Sequence, residues 1–553
     1  MSKRAEKIIR EVEEDSFENY RQKYPEDQPL CTYKHILENI VKMVPNKTAV
    51  VQGKRRFTWK QFDERTNRLA NGLLGLGLKK GDRVAFCGFN AIEIVETILA
   101  TSKVGLAHLN LDPRFVEDEI KYVLEDSDTV VLITEDRWID TIEKVREDLP
   151  DLKYILVFNA PGYPKREIPS DPLYVDYEDF IERYPNTEPK IDWEIKNDDF
   201  CCLMYTGGTT GYPKGTVFDY WNKGASVRWG VFSTLIESGW DGIINSIIKD
   251  KNVQKGTANL VAEMSIPLLS PIGSRMVNMF WDMLSMSKSL RNILSVILRS
   301  DATKRLFFQY IYPHVVGQPL IYSLAGGRMK VLIAVPLFHT LGYQTTLIMA
   351  FGIASTLFYL EPAHPFDAKV FCETIERERI NMAAIVADTY SLPIIEELER
   401  AKKEGEPYDM SSLLILASSG GRWSAHTKRR LLEDIPHCMI MDAYGSTEAA
   451  TGIASISSSI NENIPEHTTF MRRGHGYSEE NLFLDLDTGK EAKPGCKHAQ
   501  YLCGGFNGLG YWKAPSKSKE NFVVIDGERY VVMGDEGCVD EKGGFHLVGR
   551  GGN

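Results

Sequence analysis

Arg83-Val84-Ala85-Phe86-Cys87, Ile92 to Val104, Leu109-Asn110, Val116 to Leu124 and Thr129-Val130-Val131-Leu132-Ile133-Thr134 follow one another with only short gaps. Short runs of apolar residues alternate with longer stretches of helical spacing. Read as strand, helix, strand, helix, strand, the segment predicts a mostly parallel sheet with helices on both faces, since a parallel neighbour requires a long crossover. Upstream, Ala49 to Val51 and Phe57 to Trp59 suggest a hairpin, and Lys60 to Leu76 a helix with Leu69, Leu73, Leu74 and Leu76 at helical spacing. Gly77 closes that helix, and Lys79-Lys80-Gly81-Asp82 turns the chain into the strand at Arg83. Downstream, a linker rich in proline and charge over 162–191 leads to the apolar stretch Phe200 to Met204.

The whole chain has 553 residues, 43% hydrophobic, 25% charged and 10% aromatic. Length alone suggests roughly three to four domains or subdomains. The composition is that of a soluble globular chain and argues against disordered, collagen-like and disulfide-scaffold classes. Sixty-five basic and 76 acidic residues leave a net charge of −11, which repels polyanions, so nucleic acid is not expected as a partner. Nine cysteines without repeated spacing, two of them adjacent at Cys201-Cys202, fit neither a disulfide framework nor a zinc site and read as reduced, mostly buried thiols. The start, Met1-Ser2-Lys3-Arg4-Ala5-Glu6, lacks the apolar core of a secretory signal, so a cytoplasmic location is expected.

Val331 to Leu360 contains no Asp, Glu, Lys or Arg and is long enough to cross a bilayer. Pro336, His339, Gly342, Gln344 and Gly352 interrupt it, and it reads instead as strand, loop, buried helix and strand of an α/β core. Residues 220–330 are less orderly. Met276 to Met286 is rich in methionine, and Lys288 to Arg299 carries Leu290, Ile293, Leu294, Ile297 and Leu298 on one side. The expectation is an inserted helical subdomain; the alternative is a lid over an apolar channel or a peripheral membrane contact rimmed by Lys288, Arg291 and Arg299.

Chemistry concentrates after Met204, in Tyr205-Thr206-Gly207-Gly208-Thr209-Thr210-Gly211-Tyr212-Pro213-Lys214-Gly215. Glycines let backbone N–H groups approach phosphate oxygens, threonine hydroxyls add donors, and lysine supplies a mobile charge for the distal phosphates. A Walker A loop is excluded because Lys214 lies between Pro213 and Gly215 rather than in Gly-Lys-Ser/Thr at a helix start. Further on, Asp442-Ala443-Tyr444-Gly445-Ser446-Thr447-Glu448 joins an aromatic plane, hydroxyls and a carboxylate suited to a metal beside a triphosphate.

On these residues the sequence resembles the adenylate-forming (AMP-binding) superfamily, which includes acyl-CoA synthetases, firefly luciferase and peptide-synthetase adenylation domains. The likeness covers nearly the whole chain, with departures at Gly207, where the family usually has Ser, and at Gly551-Gly552, where its hinge commonly has Asp or Lys. It implies an α/β fold, the large N-terminal domain of the superfamily, with two doubly wound mostly parallel sheets, flanking helices and a smaller β subdomain. The boundaries expected are a large domain over 1–550, made of a first α/β subdomain at about 30–190, a phosphate-loop region at 191–219, the insertion at 220–330, a second α/β subdomain at 331–455 and a β-rich subdomain at 456–548.

The resemblance assigns Thr206, Gly207, Gly208, Thr209, Thr210, Gly211 and Lys214 to the phosphates of ATP. It implies that Tyr444 stacks on adenine beside Gly445, that Asp442 accepts from the adenine amino group, that Thr447 meets the α-phosphate and that Glu448 holds Mg²⁺. Ser418-Ser419-Gly420-Gly421-Arg422 follows a strand over Leu413 to Ala417, and the backbone at Gly420 and Gly421 is expected to line the adenine and acyl pocket. His339, in Pro336-Leu337-Phe338-His339-Thr340-Leu341-Gly342, matches a gate to the carboxylate and thiol tunnel. Asp535, after the strand Tyr530 to Met533, and Arg550 match ribose contacts. Tyr511-Trp512-Lys513-Ala514-Pro515, with Glu520 and Phe522, reads as a mostly structural stretch.

The implied reaction is ATP-dependent activation of a carboxylic acid to acyl-AMP with release of pyrophosphate, then capture by the thiol of CoA. Lys214, Thr209, Thr210, His339, Thr447 and Glu448 are the catalytic candidates. A fatty or other apolar acid is favoured over an amino acid, with a stand-alone adenylating module or a non-catalytic nucleotide-binding protein as alternatives. In the family a hinge and a small domain bearing a lysine follow Gly549-Arg550, whereas the residues here run to Asn553. Residues 549–553 are accordingly expected to begin a hinge whose C-terminal domain is absent or separately supplied, with weakened adenylation as the consequence.

Overall fold

The computed structural model describes residues 32–206, 212–223, 329–347, 351–449, 453–457, 464, 469–470, 481–504, 507–525, 528–541 and 543–550. The insertion expected at 220–330, with its amphipathic run and membrane-contact reading, lies almost wholly outside them.

The 83–134 segment folds as its pattern predicts. β3 (Arg83–Cys87), the helix Ile92–Val104, β4 (Ala107–Leu111), the helix Glu117–Asp126 and β5 (Thr129–Glu135) alternate in order. With β6 (Tyr154–Phe158), β7 (Tyr174–Asp176), β8 (Phe200–Thr206), β9 (Lys214–Asp219) and β19 (Gly510–Tyr511) they form an eight-stranded sheet, ordered β19-β9-β8-β4-β3-β5-β6-β7. From β8 to β7 the pairing is parallel; β9 and β19 are antiparallel additions at one edge.

A second eight-stranded sheet contains β1 (Thr48–Gln52), β2 (Arg55–Thr58), β10 (Lys330–Ile333), β11 (Thr356–Tyr359), β12 (Met382–Ile385), β13 (Ile415–Ser418), β14 (Met439–Tyr444) and β15 (Ile453–Ser457). Its order is β15-β14-β13-β12-β10-β11-β1-β2, parallel except at its two ends. The early hairpin thus leaves the strands that follow it and joins the second sheet, with Val50 opposite Leu357. The third sheet is antiparallel, built from β16 (Thr469–Phe470), β17 (Leu482–Asp485), β18 (Ala499–Cys503), β20 (Phe522–Ile525), β21 (Glu528–Val539) and β22 (Phe545–Arg550).

Side-chain alternation explains how the two large sheets face each other. Val84, Phe86, Val131 and Ile133 of the first sheet share one core with Val331, Ile333, Leu357 and Met382 of the second. Their neighbours one position away, Ala85 and Cys87 or Leu332 and Ala383, enter separate cores on the outer faces. Between the sheets lies the helix Ile92–Val104, every residue of which is buried. Its three charged members survive there because each is paired: Glu93 with Arg55 at 2.6 Å, Glu96 with Arg65, and Lys103 with Asp63 and Glu188 at 2.9 and 3.0 Å. The neighbouring helix Trp59–Gly75 starts at Thr58, whose hydroxyl accepts from the Gln61 N–H while the Gln61 side chain accepts from the Thr58 N–H.

The apolar stretch 331–360 resolves into β10, the helix Thr340–Leu347 and β11. None of the described helices is long and apolar enough to cross a membrane.

Candidate active site

In sheets of this kind, ligands bind outside the carboxyl ends of parallel strands. The expected site residues gather at such ends, those of β8, β13 and β14. β8 ends at Thr206 and β9 begins at Lys214, and these two residues are paired across the hairpin. Of the seven residues between them, the five from Gly207 to Gly211, including Thr209 and Thr210, fall outside the described residues. Both stems of the loop are nevertheless fixed: the Tyr205 hydroxyl donates to Asp126 at 2.7 Å, and the exposed Tyr212 stacks on Tyr122 with centroids 4.5 Å apart.

The far side of the loop is held by the two-residue strand β19. Gly510 pairs with Val217 and Tyr511 with Thr216, and the Trp512 N–H donates to the Gly215 carbonyl at 2.8 Å. This places the Lys214 ammonium 5.6 Å from the centre of the Tyr511 ring. The Tyr511 hydroxyl, in turn, donates to Glu448 Oε1 at 2.7 Å. The Glu448 backbone is tied to the same place, its carbonyl accepting from the Gly508 N–H at 2.7 Å. Lys214 and Glu448, 234 positions apart in sequence, therefore meet on one buried tyrosine that the sequence marked only as structural. A tyrosine beside a tryptophan carries no local signal of such a role.

Asp442 and Tyr444 lie at the end of β14, where Asp442 pairs with Ser418 of β13. The Asp442 carboxylate is buried and accepts from Lys428 Nζ at 2.6 Å, while the same ammonium lies 5.5 Å from the Trp423 ring. The expected adenine acceptor is thus already oriented by a cation, which the sequence reading did not include. Beyond β13, Gly420 has φ +80°, the left-handed region where a side chain is strained, and Gly420, Gly421 and Arg422 form an exposed ledge. Asp388 holds the next turn by accepting from the Ser424 N–H at 3.0 Å and from the Thr427 hydroxyl.

The Tyr444 hydroxyl donates to Asp535 on β21, joining the expected adenine and ribose contacts across two sheets. Arg550, at the end of β22, is opposite Asp535 in the ladder. Gly445 is exposed, and Thr447 is half-buried on the same turn as Glu448.

His339 lies on the turn between β10 and the helix Thr340–Leu347. That turn is tight: a Cβ on Gly342 would lie 2.3 Å from the Pro336 carbonyl oxygen. Arg114, itself held by Asp112 at 2.6 Å, donates to His339 Nε2 at 3.2 Å and covers the Phe338 ring. Because a guanidinium only donates, Nε2 accepts and the ring proton belongs on Nδ1. The ring keeps an exposed edge, yet partial loss of water, the leading cause, lowers its pKa; the Asp112 charge opposes this and the Arg114 charge adds to it.

Comparison with known proteins identifies the family. The family described as "AMP-binding enzyme" matches residues 37–238 and 309–511. A medium/long-chain-fatty-acid–CoA/3-oxocholest-4-en-26-oate–CoA ligase of Mycolicibacterium smegmatis is 28% identical over 522 residues, covering 93% of this chain and 77% of that protein. A 3-oxocholest-4-en-26-oate–CoA ligase of Rhodococcus rhodochrous is 26% identical, with the same coverage of 93% and 77%. In fold, the chain resembles the anthranilate CoA ligase AuaEII in complex with anthranoyl-AMP, with a TM-score of 0.66 at 20% identity over 95% of this chain and 79% of that one. It also resembles the long-chain-fatty-acid-CoA ligase FadD1 from Archaeoglobus fulgidus, with a TM-score of 0.65 at 15% identity over 94% and 84%. The chain belongs to the AMP-binding enzyme family, has the adenylate-forming fold, and is an acid–CoA ligase that activates a carboxylic acid with ATP.

Proposed function

We propose that the acid is an apolar one, a fatty acid or the carboxylated side chain of a sterol, and that the residues gathered at the β8, β13 and β14 ends carry its activation. The substrate class rests on the named activities of the Mycolicibacterium and Rhodococcus relatives. The observation that carries the site assignment is the meeting of Lys214 and Glu448 on Tyr511, beside the Tyr444–Asp535 contact. Together they offer a cation for phosphate, a carboxylate for a metal, an aromatic plane for a base and a carboxylate for a ribose.

In the first step a carboxylate oxygen of the acid attacks the α-phosphorus of ATP. An O–P bond forms to give acyl-AMP, and the bond to the leaving pyrophosphate breaks. In the second, the CoA thiol loses its proton and its sulfur attacks the acyl carbonyl, expelling AMP as the thioester forms. Thr206, Gly207, Gly208, Thr209, Thr210, Gly211 and Lys214 would hold the triphosphate, with Thr447 at the α-phosphate; catalysis then lies in positioning and charge neutralisation. Tyr444, Gly445, Asp442, Gly420 and Gly421 would bind the adenine, and Asp535 with Arg550 the ribose. His339, neutral at pH 7 and with Nε2 held by Arg114, would line the path to the acid and the thiol.

Magnesium is bound typically by one or two carboxylates plus substrate phosphates and water. The site suits it, because Glu448 offers a half-buried carboxylate beside the phosphate-loop stem. Glu448 would hold the ion, which supplies neutralisation of phosphate charge.

The test is acid-dependent pyrophosphate release from Mg·ATP with palmitate, 3-oxocholest-4-en-26-oate and anthranilate, with and without CoA. Release with palmitate or the sterol acid, accelerated by CoA, is the expected result. Release with anthranilate alone would overturn the substrate class, and indifference to CoA would overturn the thioester step.

A further inference from the structure

We propose that Tyr511 is a positioning residue for the metal: its hydroxyl fixes the Glu448 carboxylate in the orientation that receives Mg²⁺, and its ring sets the Lys214 ammonium beside it. This rests on the assignment of Glu448 to the metal made above. A phenol has one proton to give, and here its direction is decided by a third residue. Asn521 Nδ2 donates to the Tyr511 oxygen at 2.9 Å, so the phenolic proton is left for Glu448 Oε1 at 2.7 Å. One oxygen of Glu448 is thereby committed, and the carboxylate plane is set before any ligand arrives.

The tyrosine itself has little freedom. It is 7% exposed, its ring packs edge-on against Phe522 with centroids 5.5 Å apart, and its N–H donates to the Ser518 hydroxyl at 2.8 Å. Its backbone is paired to β9, the strand that runs directly on from Lys214. The Glu448 backbone is fastened to the same segment through Gly508, whose carbonyl also accepts from Arg529 at 2.7 Å. The metal-binding carboxylate and the phosphate-binding ammonium are consequently referenced to one rigid ring rather than to two separate loops. Groups that orient a metal ligand change affinity by about 10- to 100-fold when removed.

The experiment uses Tyr511→Phe, which keeps the ring and deletes only the hydroxyl, in the full chain. Binding of ATP's non-cleavable α,β-methylene analogue is followed by calorimetry across a Mg²⁺ titration, and AMP binding is followed without metal. The expected result is a rise of about tenfold in the Mg²⁺ concentration giving half-maximal analogue binding, with AMP binding and the thermal unfolding temperature unchanged. Asn521→Ala, which frees the phenolic proton without touching either ligand, should shift the Mg²⁺ requirement in the same direction by less. Glu448→Gln is the reference. If it raises the Mg²⁺ requirement and Tyr511→Phe does not, the positioning role is wrong and the metal assignment stands. If Glu448→Gln leaves the requirement unchanged, the metal assignment fails and this inference with it. Equal loss of AMP binding in Tyr511→Phe would mean that the hydroxyl serves the fold alone.

Discussion

Replacing Lys428 with methionine removes one charge and keeps the length of the side chain, which makes the cost calculable. Lys428 Nζ and Asp442 Oδ2 are 2.6 Å apart, and the two side chains are only 3% and 8% exposed. At that separation an effective dielectric of about 20 gives an attraction of roughly 6 kcal/mol, from which the cost of drying both groups is to be subtracted. Removal of one partner from such a pair costs about 3–5 kcal/mol, because the other charge stays buried without its ion partner. Lys428→Met should therefore destabilise the second sheet by about 3 kcal/mol, and Asp442→Asn by a similar amount for the reciprocal reason. The double variant buries no lone charge and should cost at least about 2 kcal/mol less than the sum. Urea unfolding followed by tryptophan fluorescence on the four proteins measures this, since Trp423 adjoins the pair. Additivity of the two single variants within about 0.5 kcal/mol would refute the reasoning.

Glu448→Gln should lower magnesium-dependent pyrophosphate release roughly 10²-fold, the scale for deleting one electrostatic contact to a transition state, with the fold intact by circular dichroism. Arg114→Gln should raise the His339 pKa toward the ordinary value near 6.5, because it removes a cation and leaves Asp112 facing the ring; NMR titration of the histidine reads this directly. The linkage has a definite sign: the folded pKa lies below the unfolded one, so the contribution of neutral His339 to stability is whole above pH 6.5 and is lost as pH falls from there toward the folded pKa. Unfolding temperatures of wild type and His339→Gln should accordingly converge on acidification. Gly342→Ala should lower the unfolding temperature and disturb the His339 signal, because the new methyl group meets the Pro336 carbonyl at 2.3 Å.

Local pattern carried the first sheet well. The strand Arg83–Cys87 and the helix Ile92–Val104 fall where apolar runs and helical spacing put them, and the helix predicted to begin at Val116 starts one residue later. What the pattern lacks is any statement of which strand lies beside which. The hairpin at 48–58 looks the same whether it extends the nearest sheet or crosses to another, and only its pairing with β11 decides. The site divides in the same way. Asp442, Tyr444 and Glu448 stood out because their types cluster within seven residues, whereas Lys428, Tyr511 and Arg114 act through contacts with groups 14, 63 and 225 positions away. A lysine in a helix and a tyrosine in a two-residue strand are too common as types to single out.

The pairing of β1 with β11 also sets a timetable for synthesis. About 300 residues of chain separate Val50 from Leu357, and at ribosomal rates of roughly 5–20 residues per second they take about 15–60 s to make. During that interval the hairpin of β1 and β2 has been made but lacks its neighbour, and a two-stranded hairpin alone is marginally stable. β1, with four of its five residues destined for burial, waits as an unfilled sheet edge. The second sheet is therefore completed late and by closure over the first, and agents that shield apolar edges should act on this chain before residue 359 has left the ribosome.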